Sequence, residues 1–212
     1  MQQFSLSANI EEGLSKNFQY IVTPNARDVA SGLVDGYRTG IHSFTIIGSY
    51  GTGKSSFLLA LEKDLQSKGS YSLLNPHTLS ANAKFDVLKI VGDYKDLVSL
   101  MCDKLSVDGT ADNVLDRLRE IYNQAKKQGK FLVIFIDEFG KVLEHAAKNN
   151  PEQELYFMQK LAEFVNVSTR QILLVTTLHQ NFSAYARKLS TLQKEEWTKV
   201  KGRFKELVFI EP

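Results

Sequence analysis

The order of apolar and polar positions predicts strands that alternate with helices. Five short apolar segments have the composition of strands, at residues 43–47, 85–91, 131–136, 172–177 and 207–210. Between them, apolar residues recur every three or four positions, as on one face of a helix. Strands that alternate with helices are typical of an α/β protein built on a parallel sheet.

Capping and stop residues predict where the helices begin. Asn25 is predicted to cap the first helix, and Asp93 to cap a helix after the second strand. Asn150, followed by Pro151, is predicted to cap the helix that leads to the fourth strand. A further amphipathic helix is predicted over residues 111–129.

The pattern of apolar residues is less regular in three other intervals. Residues 71–74 fit a short strand or a turn, and residues 139–150 fit a helix or a loop. Residues 178–201 are predicted to form two helical pieces, with Leu192 and Trp197 in the core.

The segment 48–55 follows the first strand and matches the phosphate-binding pattern G-x-x-x-x-G-K-[ST], the P-loop. Its glycines let backbone N–H groups approach phosphate oxygens, and the following helix adds the positive end of its dipole. Lys54 is expected to reach the β- and γ-phosphates, and the Ser55 hydroxyl to hold Mg²⁺. That helix is expected to stop at Lys68 and Gly69. The residues predicted to bind nucleotide are Gly48, Ser49, Tyr50, Gly51, Thr52, Gly53, Lys54, Ser55 and Ser56.

Two carboxylates follow the third strand. Residues 131–136 are all apolar, which indicates a strand covered on both faces. Asp137 and Glu138 then lie at its carboxyl end, where ligands bind in open α/β sheets. Asp137 is expected to orient Mg²⁺, and Glu138 to be the general base that polarises the attacking water. An acidic turn alone is common, but this pair occurs together with an upstream P-loop.

The fourth strand ends in two threonines, Thr176 and Thr177. A hydroxyl at this edge can position water or contact the γ-phosphate, so Thr177 is a candidate catalytic residue and His179 a weaker one. The alternative is that β-branched threonines simply end the strand and hydrogen-bond to the backbone. The sequence leaves both interpretations open.

The composition of the chain limits which partners and which compartment are expected. The chain has 212 residues, 43% of them hydrophobic, which suffices for one globular core. A net charge of +2 does not support nucleic acid as a partner, although a basic C-terminal part keeps it possible. The single cysteine, Cys102, suits a reducing cytoplasm and is expected to be an inert core thiol. With no signal peptide and no membrane-spanning run, we expect a cytoplasmic protein with no membrane partner.

The two motifs together resemble the P-loop NTPases that use a catalytic glutamate (the ASCE division). Within that division, the segments 48–55 and 131–138, with a strand that ends in threonines, are most similar to AAA+ ATPases and their STAND-like signalling relatives. The resemblance implies a three-layer αβα fold with a five-stranded parallel sheet in the order 5-1-4-3-2. It also implies ATP and Mg²⁺ as the cofactors.

Two residue roles come from this resemblance. The family's polar sensor ends the fourth strand, which is Thr177 here, and an arginine just before the fifth strand reaches a neighbouring subunit's ATP, which is Arg203 here. A surface arginine paired with a nearby carboxylate is the alternative for Arg203.

The predicted organisation is an N-terminal segment and helix over residues 1–40, followed by a P-loop NTPase core over residues 41–212. The family's helical lid is expected after the fifth strand and is missing before Pro212. Residues 20–23 lie where the family holds adenine. We therefore expect the core of a longer multidomain or oligomeric protein.

Two functions fit these features. The first is an ATPase that couples hydrolysis to remodelling of a partner, as a homo-oligomer or with further domains of the same polypeptide. The second is a signalling switch that hydrolyses ATP slowly. A P-loop small-molecule kinase fits less well, because such kinases usually lack an adjacent Asp-Glu pair. The segment 178–204 also resembles large ATPases of bacterial defence systems.

Overall fold

The computed structural model describes residues 8–12, 19–67 and 70–210. The strands are β1 Ser43–Ile47, β2 Phe85–Val91, β3 Phe131–Asp137, β4 Ile172–Leu178 and β5 Lys205–Val208. The helices are α1 Pro24–Arg38, α2 Lys54–Ser67, α3 Leu97–Leu105, α4 Ala111–Lys127, α5 Phe139–Lys148, α6 Pro151–Val165 and α7 Thr191–Lys201. Short 3-10 turns lie at Pro76–Thr78 and Phe182–Ala186.

All five strands form one parallel sheet in the order β2-β3-β4-β1-β5. This order confirms the expected 5-1-4-3-2 arrangement. Strands β3 and β4 are buried along their whole length, as continuous apolar runs require. Because β4 pairs with both β1 and β3, its carboxyl end lies between the ends of those two strands.

Helices cover both faces of the sheet. On one face, Phe44, Phe131 and Val175 pack with apolar residues of α1 and α2. On the other face, Ile134 and Leu174 pack with α3 to α7. Alternate residues of one strand point to opposite faces, so each buried strand contributes to both layers of the core. The fold is therefore the predicted three-layer αβα sandwich.

The first helix begins two residues earlier than predicted. Thr23, not Asn25, is its cap, and the Thr23 hydroxyl accepts the N–H of Ala26 at 3.1 Å. Pro24 lacks an N–H and suits the first helical position, which places the cap before it. The Asn25 amide instead bonds the segment just after β5, where its Oδ1 accepts the N–H of Ile210 at 2.9 Å.

Two other predicted caps differ from the structure. Asp96, not Asp93, caps α3, and its carboxylate accepts the N–H of Ser99 at 2.7 Å. Asp93 accepts the N–H of Tyr94 instead. Asn150 occupies the cap position of α6, as predicted, but its side chain makes no capping hydrogen bond.

The ambiguous intervals have definite structures. Residues 71–74 form bends rather than a strand, because the buried Asp64 carboxylate accepts the backbone N–H groups of Tyr71 and Leu73. Residues 139–150 contain the helix α5. The last strand ends at Val208, short of the predicted 210, since its partner β1 ends at Ile47 where the P-loop begins. The predicted stop at Lys68 and Gly69 lies outside the described residues.

Core predictions hold except at one position. Trp197 and Cys102 are buried as predicted, but Leu192 is 75% exposed. Leu192 lies five residues before Trp197, which rotates it about 140° around α7, away from the buried face. In the described residues, no helix is long and apolar enough to cross a membrane.

Candidate nucleotide site

The loop from residue 48 to residue 53 connects β1 directly to α2. Gly51 and Gly53 have φ angles of +78° and +86°, which L side chains rarely adopt. The loop therefore turns sharply into the start of a helix, where unpaired N–H groups and the helix dipole favour an anion.

The Lys54 side chain folds across this loop. Its ammonium donates to the carbonyl oxygens of Gly48 at 2.5 Å and Ser49 at 2.8 Å. Burial lowers the pKa of Lys54, and the Asp137 and Glu138 carboxylates act in the opposite direction. The ammonium is thus held in place at the sheet edge that also carries the acidic pair.

Asp137 is the last residue of β3 and is nearly buried. Its Oδ1 accepts the Glu138 N–H at 3.0 Å and the Thr177 hydroxyl at 2.6 Å. The Thr177 hydroxyl oxygen in turn accepts the Glu138 N–H at 3.0 Å. Thr177 therefore bonds the acidic pair itself, a partnership that the sequence did not reveal.

The backbone at Glu138 is unusual, and a glycine on the neighbouring strand end accommodates it. Glu138 has a φ of 54°, which is uncommon for a residue with a side chain. A Cβ at Gly92 would lie 2.5 Å from the Glu138 carbonyl oxygen. The Gly92 N–H donates to the Asp137 carbonyl at 2.7 Å. Gly92 thus permits the turn that orients Glu138, a role that its place in the sequence does not indicate.

A cavity of about 280 Å³ brings the two motifs together. Its lining residues are Ala8, Tyr50, Gly51, Gly53, Lys54, Ser55, Ser56, Asp137 and Glu138. Ala8, from the N-terminal segment, was not predicted. Carboxylate and hydroxyl oxygens of Asp137 and Ser55 are ligands that suit Mg²⁺.

Arg203 lies away from this cavity. It follows α7 and precedes β5, and its backbone carbonyl accepts the hydroxyl of Ser43, the first residue of β1. The P-loop follows the last residue of β1, so Arg203 is at the opposite edge of the sheet. Its guanidinium donates to Glu163 at 2.7 Å. Arg203 therefore does not contribute to the cavity of its own chain.

Two aromatic contacts involve segments for which the sequence predicts a role in nucleotide binding. Tyr50 stacks on His179, with ring centroids 4.4 Å apart and an angle of 20° between the planes. In the stretch 20–23, Tyr20 contacts Tyr71 edge-on at 5.9 Å, whereas Ile21 is 84% exposed. The sequence suggested a role for His179 but not its contact with the P-loop.

A larger cavity of about 580 Å³ lies between α3, α5 and α6 and contains none of the predicted site residues. The buried Glu154 carboxylate lines it and accepts the N–H of Leu97 at 3.1 Å. Burial raises the pKa of Glu154 to about 6, partly opposed by that hydrogen bond.

A parallel 5-1-4-3-2 sheet, with a P-loop after β1 and an acidic pair after β3, defines the ATPase core of AAA+ P-loop NTPases. Residues 44–199 match the family described as "ATPase family associated with various cellular activities (AAA)". The chain belongs to that family.

Solved structures with a similar fold include the ORC2 protein of Aeropyrum pernix in ADPNP-ADP complexes and PCH-2 of C. elegans. For ORC2 the TM-score is 0.51 at 15% identity, over 92% of this chain and 50% of that one. For PCH-2 the TM-score is 0.50 at 15% identity, over 91% of this chain and 45% of that one. The chain thus spans about half the length of these proteins. A search of curated proteins found no match.

Proposed function

We propose that this chain binds ATP with Mg²⁺ and hydrolyses it at the cavity between the P-loop and the acidic pair. The observation that carries this proposal is that Lys54, Ser55, Asp137 and Glu138 line one cavity although they come from distant parts of the sequence. A triphosphate bound by the loop would then face the carboxylates.

The phosphate and metal ligands follow from the chemistry of each group. Lys54 would exchange its carbonyl partners for the β- and γ-phosphates. Ser55 and Asp137 would hold Mg²⁺, which keeps several waters and uses phosphate oxygens as ligands rather than a full protein cage.

Glu138 would act as the general base for the attacking water. Its N–H is fixed by Asp137 and Thr177, so the residue is oriented before nucleotide binds. Thr177 would be a positioning residue for this pair. Preorganised groups need little rearrangement during the reaction, which favours the transition state.

Two substitutions test this function. Lys54→Ala is expected to abolish ATP binding, measured by titration with a fluorescent ATP analogue, and Lys188→Ala, on the exposed surface, serves as the lysine control. Glu138→Gln is expected to keep ATP binding and lose phosphate release, with the exposed Glu195→Gln as its control. Equal ATP affinity in Lys54→Ala and wild type would refute the phosphate site. Undiminished turnover in Glu138→Gln would refute the base.

We further propose that hydrolysis drives remodelling of a partner, within a homo-oligomer or together with further domains. Arg203 lies too far from its own P-loop to act there, which supports a role in a neighbouring subunit and requires its release from Glu163. Mixing Arg203→Ala with wild-type protein should depress turnover more than in proportion to its share, and Arg187→Ala should not. Proportional loss would refute the action in trans. Slow turnover, with nucleotide retained through purification, would instead favour a signalling switch that hydrolyses ATP slowly.

A further inference from the structure

His179 contacts the P-loop through its ring. It is the first residue after β4, and it stacks on Tyr50, the third residue of the loop, with centroids 4.4 Å apart. Tyr50 is otherwise 66% exposed. The stack therefore joins the residue that follows β4 to an exposed part of the loop.

Other groups hold the His179 ring from its far side. The Tyr185 hydroxyl lies 3.0 Å from Nδ1, and a Glu144 oxygen lies 3.8 Å from Nε2. Tyr185 is buried, and that burial raises the pKa of its hydroxyl, so the hydroxyl keeps its proton and can donate it to Nδ1. The hydroxyl also packs against Gly140, in the first turn of α5. The ring is thus fixed to the helix that begins directly after Glu138.

We propose that His179 is a positioning residue for nucleotide binding, because the stack fixes Tyr50 and so preorganises the backbone N–H groups of the P-loop. This inference rests on the proposed function. The loop contains Gly51 and Gly53, and glycines lose more conformational freedom on ordering than other residues. A stack formed before the phosphates arrive reduces the ordering that binding must impose, and preorganisation of this kind increases affinity.

The test is a set of substitutions at the two stacked positions, measured as ATP affinity and as steady-state kinetics. A stacked aromatic pair contributes enough for Tyr50→Ala and His179→Ala each to weaken ATP binding about 2- to 10-fold. The double variant should bind no more weakly than the weaker single variant, since both changes remove the same contact. Tyr50→Phe keeps two flat rings and the His179 contacts to Tyr185 and Glu144, so it should bind ATP within about 2-fold of wild type. In the alanine variants the KM for ATP should rise by a larger factor than kcat at saturating ATP falls.

Three outcomes would overturn the inference: losses that multiply in the double variant, weak ATP binding by Tyr50→Phe, or unchanged affinity in both alanine variants. A purely structural role would lower the melting temperature without a coupled change in affinity, so melting is measured for every variant. Lys54→Ala separates the two proposals. If it loses ATP while Tyr50→Ala binds normally, only the role of the stack is wrong, whereas ATP binding by Lys54→Ala would overturn both.

Discussion

Replacement of Thr177 by valine tests how the acidic pair is held. Valine has nearly the same shape but has no hydroxyl, so Thr177→Val removes the 2.6 Å bond to the Asp137 carboxylate and one of two acceptors of the Glu138 N–H. The Glu138 N–H keeps its bond to Asp137 Oδ1 at 3.0 Å. The substitution therefore removes one strong bond without leaving that donor unpaired.

The expected loss follows from the kind of bond removed. A hydrogen bond to a charged acceptor contributes about 1.5–3 kcal/mol to stability, and the Thr177 side chain is buried, so solvent cannot replace it. For a chain of this length, each kcal/mol shifts the melting temperature by about 2–4 °C. Thr177→Val should thus melt roughly 3–12 °C below wild type. Turnover should fall about 10- to 100-fold, because a small displacement of a catalytic group has a large effect on rate.

Thermal melting followed by circular dichroism measures the first effect, and phosphate release at saturating ATP measures the second. The neighbouring Thr176 is the matched control, because its hydroxyl is buried but bonds only the neutral Thr45 hydroxyl and the Phe44 carbonyl. Thr176→Val should lose stability while it keeps normal turnover. A Thr177→Val protein that melts within 1 °C of wild type, roughly the resolution of the comparison, would refute the reasoning.

Three further substitutions have defined outcomes. Gly92→Ala places a methyl group 2.5 Å from the Glu138 carbonyl oxygen, so turnover should fall more than ATP affinity; a parallel loss of both would contradict this. Trp197→Phe removes the bond from the indole N–H to the Phe182 carbonyl at 2.9 Å and leaves a gap in the core, so the free energy of unfolding in urea should drop by about 1–3 kcal/mol. The Glu154 carboxyl has a pKa raised from 4.5 to about 6. The folded protein therefore holds the proton of this carboxyl more tightly than the unfolded chain does. Its contribution to stability is therefore fully present below pH 4.5 and declines by about 2 kcal/mol in total as the pH rises past about 6. Glu154→Gln should flatten that part of the curve of melting temperature against pH, and an unchanged curve would show that another group is responsible.

Much of the fold could be predicted because its signals are local. The continuous apolar run that forms β3 and the helical spacing in residues 111–129 each fix an element without reference to the rest of the chain. The incorrect predictions occur where a residue that is distant in sequence determines the local structure. Asn25 is a good cap by type, but its side chain accepts the N–H of Ile210, 185 residues away and just after β5. Asp64 determines the bends at Tyr71 and Leu73 by a contact that no periodicity reveals.

The candidate site likewise contains residues that the sequence identifies and residues that it does not. The P-loop and the Asp-Glu pair are contiguous motifs, so their residues could be named from the sequence. Gly92 could not, because its importance comes from an approach to the Glu138 carbonyl across two strands. The carboxylate that pairs with Arg203 could not be named either, since Glu163 lies on α6, 40 residues away along the chain. What the sequence lacks in each case is the packing of one element against another.

The strand order explains why the end of β4 is the place where phosphate binding and the general base would be coupled. β4 lies between β1, which leads into the P-loop, and β3, which ends at the acidic pair. Thr177 and His179 are two residues apart, one inside β4 and the other directly after it. One bonds Asp137 and the other stacks on Tyr50. A shift of the loop on phosphate binding would therefore be transmitted through two neighbouring residues to Glu138. Substitutions at these two positions should be non-additive in turnover, whereas either of them should be additive with a change at the distant Trp197.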